Sequence, residues 1–325
     1  MRMKFFLRFF FYPFIILINY IFKKKKLLFL YKSGSTLGDN ICITSIINSI
    51  KKNFNYQIYL FAGVSDIYKN NLKIFKFVKS AFWSTLFFKV MEGSNIVQLG
   101  IKTYPYNNLH EYLKINENKS NRKHLIEYLG GEFFLKNKLE VSKNEVFFSE
   151  NEIKYFEKKF PFYKKRYAII NPSPRTKYIL VRSWGFENYQ KIVNSYKIKW
   201  IQAGLSQDKS LGGLFLNLNG KVSVRELLFL VKNSYFVLSD EGGLNHIASC
   251  FPRTKSFVVM SGFAPVEHIR YSNTYAITRE PQIDCAPCYL VKQKCYREKK
   301  FCTEEIPVSK VLDFITKNLN DKKIS

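Results

Sequence analysis

The densest chemistry in the chain lies in one run, Ser239-Asp240-Glu241-Gly242-Gly243-Leu244-Asn245-His246. Two carboxylates, two glycines and a histidine stand there between a strand-like and a helix-like stretch. Glycines let a backbone come close to a ligand, and free N–H groups at a helix start attract phosphate. An acidic residue at the same place is also stabilised by the helix dipole, so a plain cap explains part of the pattern. A second carboxylate site is Asp39, in Gly34-Ser35-Thr36-Leu37-Gly38-Asp39-Asn40. At a strand-to-helix break it serves either as a general base or as a helix cap. Arg182, in Arg182-Ser183-Trp184, offers a planar fork of donors for charge developing on a phosphate. His246 suits a ligand contact or a structural place on a helix face. His110, His124 and His268 have no partner by spacing.

Four cysteines form a second cluster: Cys285-Ala286-Pro287-Cys288, then Cys295 and Cys302. A C-x2-C turn aims two sulfurs at one point, and two further thiolates complete a tetrahedron. In a reducing compartment this spacing favours a metal over disulfides, zinc ahead of iron. The metal's role is then structural, because four protein ligands leave no open position. No catalytic metal is expected. Cys42 and Cys250 fall on expected helices, as small core residues.

The elements that must position these groups alternate. Residues 27–31 are a short apolar run, as in a strand covered on both faces. Ile43, Ile46, Ile47 and Ile50 then keep helical spacing. Residues 57–62 and, less clearly, 96–99 read as strands, and residues 104–121 as a loop-rich excursion. Residues 123–129 predict a helix stopped by Gly130-Gly131. A second series follows Pro161, with strands over 167–170, 200–203, 235–238 and 256–260. Helices are expected between them over 186–196, from the capping box Ser223-Val224-Arg225-Glu226 to Lys232, and over 242–249. Such alternation implies an α/β protein with parallel sheets and crossover helices. Two series joined near residues 150–165 imply two Rossmann-like domains. Their ligands bind beyond the carboxyl ends of the strands, at loops 34–39, 171–184, 204–208, 239–243 and 261–265.

Composition bounds the remainder. The 325 residues are 46% hydrophobic and 17% aromatic, which excludes a disordered chain and suffices for two domains. An excess of 52 Lys+Arg over 25 Asp+Glu gives +27, which suits nucleic acid, anionic lipid or a phosphorylated substrate. General richness in Lys, Ile, Phe and Asn accounts for part of that excess. No stretch interleaves aromatics with Lys and Arg in the manner of an RNA-binding sheet. Residues 5–22 are nearly all apolar, broken by Arg8, Pro13 and Asn19 and followed by Lys23-Lys24-Lys25-Lys26. The internal charge and proline disfavour a spanning helix, and no small-residue cleavage site follows. Residues 1–26 are expected to lie in a membrane interface, with the lysines on anionic headgroups, in preference to the alternative of a buried core helix.

The run at 239–246 resembles the donor-site motif of glycosyltransferase family 9, the heptosyltransferases. Its positions fall on Glu241, Gly242, Gly243 and His246, with Asp240 one register off, so either carboxylate can fill the acidic place. Ser35-Thr36-Leu37-Gly38-Asp39 resembles that family's N-terminal loop, and Arg182-Ser183-Trp184 its Lys-x-Trp with Arg for Lys. Gln202-Ala203-Gly204 resembles the strand before its ribose-side acidic residue, for which Asp208 is the candidate. The resemblance implies a GT-B type fold, with an acceptor-side domain over 27–160 and a donor-binding domain over 161–325 that carries the cysteines. It implies inverting transfer of heptose from ADP-heptose to a lipid-anchored core oligosaccharide of lipopolysaccharide. Asp39 is then the base, Arg182 and the Gly242 and Gly243 amides meet the leaving diphosphate, and Asp240 or Glu241 bonds sugar hydroxyls. His246 lies near phosphate or sugar. Members with a cysteine-rich finger keep iron open beside zinc. The implied place is the bacterial cytoplasm, at the inner face of the cytoplasmic membrane. Another nucleotide sugar or a protein acceptor on the same fold is the near alternative. A zinc-finger protein binding nucleic acid is the distant one; it leaves the two βα series unexplained, and no nucleic-acid partner is expected.

Overall fold

The computed structural model describes residues 27–32, 36–74, 76–79, 97–101, 123–172, 180–289, 295, 297 and 301–319. The expected membrane segment 1–26 and the expected excursion 104–121 lie outside the described residues. Among those described, no helix is long and apolar enough to cross a membrane.

Ten strands form two parallel sheets among the described residues. The first holds β1 (Leu27–Lys32), β2 (Gln57–Ala62), β3 (Lys76–Lys79) and β4 (Val97–Ile101) in the order β3-β2-β1-β4. Leu28, Phe29 and Leu30 of the inner strand β1 are fully buried, which is why it reads as unbroken apolar sequence. Helix α1 (Leu37–Asn53) crosses from β1 to β2, and every residue from 40 to 50 is buried. Its isoleucines face the core, and its polar side takes up loop backbone. Ser49 Oγ donates to Glu140 O at 2.7 Å and Asn48 Nδ2 to Lys143 O at 2.8 Å. Those bonds remove the cost of burying serine and asparagine inside a helix pair.

After α2 (Ser65–Tyr68), α3 (Leu125–Lys136) and α4 (Glu150–Lys159) comes the second sheet. It consists of β5 (Tyr167–Asn171), β6 (Lys199–Gln202), β7 (Leu216–Asn217), β8 (Phe236–Asp240), β9 (Lys255–Val259) and β10 (Thr274–Ile277). Their order is β10-β9-β8-β5-β6-β7, all parallel. Helices α5 (Phe186–Ser195), α6 (Val224–Asn233), α7 (Gly243–Ala248), α8 (Phe301–Glu304) and α9 (Val308–Leu319) complete it. The alternating pattern therefore yields the parallel sheets expected of it.

Two local expectations change. Gly130-Gly131 does not end its helix: Gly131 takes φ 53° as a kink, and helix resumes to Lys136. Buried Phe134 holds the second segment in the core. Residues 150–165, expected only as a joint, contain α4, started by a capping box between Ser149 and Glu152.

The joint carries a polar clasp. Buried Arg225 of α6 bonds Glu152 of α4 through two nitrogens, each at 3.1 Å, and reaches Asp66 O at 3.1 Å and Phe147 O at 2.5 Å. Against the opposing effect of burial, the Ser149 N–H, Arg225 and Lys69 hold the Glu152 carboxyl down to about 2. One guanidinium thus ties the second sheet's helix to α2 of the first. Apolar contact does the rest: Ile41, Ile46 and Ile47 of α1 share one core cluster with Leu244, Ile247 and Ala248 of α7.

Candidate functional site

Helix α1 starts close above α7, and this contact assembles the site. Thr36 takes the position just before α1, and its hydroxyl donates to Asp39 Oδ2 at 2.6 Å. Asp39 is therefore in the first turn of the helix, and Thr36 is the capping position. One residue earlier, Gly38 lies against the His246 ring: a Cβ there would come within 2.6 Å of Cδ2 and 3.3 Å of Nε2. Only glycine lets the two elements meet this closely. Gly243, at the start of α7, faces Leu37 and the Gly38 nitrogen at ordinary contact distance.

His246 is buried, and Tyr271 Oη lies 2.6 Å from its Nδ1. Cys42 Sγ is 3.6 Å from the same nitrogen and 3.4 Å from Tyr271 Oη. Burial pulls the imidazole down to about 4, with Asp39 pulling it up and Arg182 pushing it down. The ring is neutral near pH 7, and two sequence motifs far apart in the chain meet at it. Asn245 orders this corner. Its Oδ1 accepts from Ser256 Oγ at 2.8 Å and Thr274 Oγ1 at 2.9 Å, while its Nδ2 donates to Ile269 O at 2.9 Å. Those bonds fasten α7 to the turn that carries Tyr271.

The two neighbouring carboxylates face different surroundings. Asp240, the last residue of β8, accepts from the Trp184 N–H at 3.1 Å and the Tyr189 hydroxyl at 2.8 Å, both through Oδ1. Trp184 is itself buried, and its indole donates to Ile306 O at 2.9 Å. Asp240 thereby positions the segment that ends the 3-10 turn Leu180–Arg182. Glu241 points the other way, with its Oε1 2.7 Å from Arg182 Nη2. Its two oxygens carry no aligned hydrogen bond among the described residues. Burial raises its carboxyl and Arg182 partly offsets this. The guanidinium also stacks on Phe263, 4.4 Å from the ring centroid. Arg182, Glu241, His246 and Asp39 thus stand together at the carboxyl ends of β1 and β8.

Asp208 is engaged locally: its Oδ2 accepts the Leu205 N–H at 2.7 Å, closing a turn over Gly204, whose missing side chain makes room for it. Gly242 has extended backbone at φ 175°. The cysteine segment docks beside the site. Cys288 N–H donates to Gly262 O at 2.8 Å and Tyr289 N–H to Phe263 O at 3.0 Å, so this segment braces the ring beneath Arg182. All six cysteines are free thiols. Burial raises the Cys302 thiol; a Gly262 backbone hydrogen bond opposes this, and nearby Cys295 and Cys285 raise it further. Among the described residues no three ligating side chains converge closely enough to hold a metal ion.

Several residues here carry no sequence signal. His124 packs edge-on against Tyr271 at 4.7 Å, and His268 lies 5.0 Å from Tyr128. Burial, then His246 and His268, lower His124 to about 3. Tertiary packing alone makes these contacts. A surface groove of about 490 Å³ lined by Arg166, Tyr196 and Lys199 lies at the amino ends of β5 and β6, away from these loops.

No family model matches the chain, and no curated protein matches its sequence. Solved structures do match its shape. E. coli ADP-heptose lipopolysaccharide heptosyltransferase II superposes with TM-score 0.63 at 13% identity, over 91% of this chain and 98% of that one. A family 9 glycosyltransferase from Veillonella parvula gives 0.64 at 11%, over 91% and 98%. TibC, an iron-containing dodecameric glycosyltransferase from enterotoxigenic E. coli H10407, gives 0.61 at 12%, over 91% and 76%. A further structure of TibC holds ADP-D-beta-D-heptose. At such identities the likeness establishes the fold, which is the one these enzymes share.

The two carboxylates are separable by mutation. Asp240→Ala strands the Trp184 N–H and Tyr189 hydroxyl and lowers unfolding free energy by about 2–4 kcal/mol. Glu241→Gln keeps an acceptor oxygen beside Arg182 and removes a charge that burial opposes, so it costs less stability than Asp240→Ala. Urea denaturation of the two variants checks this; equal losses contradict the division of labour.

Proposed function

We propose that the chain is an inverting glycosyltransferase that moves a heptose from ADP-heptose to a lipid-linked core saccharide, at an anionic membrane surface reached through residues 1–26. The two sheets are then the cores of two domains facing across the Gly38–His246 contact. The observation that carries the reading is the packing of Gly38, next to Asp39, on the buried His246 ring, with the Arg182–Glu241 pair at the strand-end loop before that histidine. A sugar transfer needs a base on the acceptor side and cationic and N–H donors on the leaving side, and the two sheets supply one each. TibC with ADP-D-beta-D-heptose gives the donor class by analogy of fold.

The chemistry follows. The acceptor hydroxyl gives its proton to the Asp39 carboxylate as its oxygen attacks the anomeric carbon. The bond from that carbon to the diphosphate oxygen breaks, and its electron pair leaves with ADP. Charge appears on that oxygen within reach of Arg182 and of the backbone N–H groups at Gly242 and Gly243. The guanidinium exchanges part of its pairing with Glu241 for the phosphate, and Glu241 turns its open oxygen to sugar hydroxyls. Phe263 keeps Arg182 in plane throughout. Asp208 in this reading closes the loop beside the nucleoside.

Four thiolates are the donor chemistry of a structural zinc or iron ion, and Cys285, Cys288, Cys295 and Cys302 would hold one only with their sulfurs drawn closer together than they stand here. A metal there would brace the support of Arg182 and take no part in transfer. Elemental analysis of freshly purified protein should find one zinc or iron per chain; none contradicts the cysteine reading.

The functional test is transfer from ADP-heptose to a core oligosaccharide lipid presented in anionic vesicles. Asp39→Asn should lower turnover at least a hundredfold while ADP still raises the melting temperature as in wild type. Wild-type turnover in the variant removes Asp39 from the mechanism. Absence of any thermal shift with ADP or ADP-sugars in the wild type contradicts the donor assignment.

A further inference from the structure

Tyr271 belongs to none of the motifs above, yet it makes the shortest polar contact to the His246 ring. Its phenol oxygen is 2.6 Å from Nδ1, while the Cys42 sulfur is 3.4 Å from the phenol and 3.6 Å from the nitrogen. Which atom holds which proton follows from the donors available. A neutral imidazole has one bare nitrogen and one N–H. A phenol has one proton to give, and nitrogen is a better acceptor than a thiol sulfur. Burial, with Cys42 adding to it, raises the phenol far above its ordinary value, so the proton stays on oxygen. The Tyr271 O–H therefore donates to Nδ1, and the weaker Cys42 S–H is left to donate to the phenol oxygen. The phenol is fixed in turn: the Tyr271 N–H donates to Thr274 Oγ1 at 3.2 Å, and Thr274 bonds Asn245, the neighbour of His246.

We infer that Tyr271 is a positioning residue that locks His246 in the tautomer with hydrogen on Nε2, making that edge a donor to an oxyanion of the ligand. Nε2 is turned toward Gly38 and the first turn of α1, where a Cβ on Gly38 would lie 3.3 Å from it. No described residue hydrogen-bonds it. A donor at that point complements Arg182, whose charge also reaches the ring. A lone imidazole would divide its proton between both nitrogens and present a lone pair to the ligand part of the time. The titratable groups around the ring are Asp39 from α1, Arg182 from the 180–182 turn, Tyr271 and Cys42 at Nδ1, and the neutral His124 just before α3. The ligand assignment, a nucleoside diphosphate, rests on the functional reading above; the tautomer does not.

Histidine-selective 15N spectra of the full-length protein at pH 7.5 test the lock, with His246 signals identified by their loss in His246→Gln. The expected spectrum shows Nε2 protonated and Nδ1 bare. Protonated Nδ1, or an imidazolium, overturns the proposal without any variant. In the double variant Tyr271→Phe/Cys42→Ala, which removes the Tyr271 donor and the thiol 3.6 Å from Nδ1 that could take its place, His246 should show a mixture of tautomers. ADP affinity should fall about tenfold by calorimetry, as expected for a lost hydrogen bond to a charged group. A double variant that keeps the single wild-type tautomer overturns the role of Tyr271. One that changes tautomer and binds ADP unchanged overturns the donor role of Nε2. A wild-type protein with the expected spectrum and no ADP binding contradicts the nucleotide reading and leaves the tautomer assignment standing.

Discussion

One close approach governs the site: the backbone of Gly38 rests on the His246 imidazole with no room for a side chain between them. It sets how the first turn of α1 meets α7, and through these helices how one sheet meets the other. The shared core of isoleucines from α1 with Leu244, Ile247 and Ala248 gives that approach its stability. Arg225 secures the far side of the same junction with bonds to Glu152, Asp66 and Phe147. The polar groups of the site are thus borne by a packed, hydrogen-bonded seam, which suits chemistry that needs reacting atoms held in register.

Charge within the seam is arranged so that each buried group has a distinct duty. Asp240 spends its carboxylate on the Trp184 N–H and the Tyr189 hydroxyl, and this holds Arg182 where the next residue, Glu241, can pair with it. A strand end turns successive side chains to opposite sides, so adjacent acids serve opposite faces. Glu241 is the more costly of the two to keep ionised, because burial opposes its charge and one guanidinium offsets only part of that. Such a carboxylate gains from any ligand hydroxyl that reaches it. The cysteine segment enters the same chain of dependence through Gly262, Phe263 and the stacked face of Arg182.

Much of the scaffold is legible in the residues alone. Fully buried parallel strand segments such as residues 28–30 and 236–238 read as apolar runs, and Ser223 with Glu226 announces α6 through its cap. The helix over 308–319 and the strand over 274–277 were not expected. The strand is short and partly buried, so it has little period to show. Gly130-Gly131 misleads because a left-handed glycine can kink a helix as well as end one. In the site, Asp39, Arg182, Glu241 and His246 stand on loops that strand order places together. Tyr271, Cys42 and His124 do not announce themselves, since nothing local distinguishes a buried tyrosine beside a histidine from a core tyrosine. The separate surroundings of Asp240 and Glu241 likewise come from distant sequence, through Trp184, Tyr189 and Arg182.

In the proposed reading a nucleoside diphosphate binds at the seam, between the guanidinium of Arg182 and the Nε2 edge of His246. A crystal structure of the full chain with ADP measures this directly. The account predicts diphosphate oxygens in hydrogen-bond contact with Arg182 and His246, beneath the first turn of α1 and facing Asp39. ADP bound elsewhere, such as in the groove of Arg166 and Lys199, with the seam unoccupied, would contradict it.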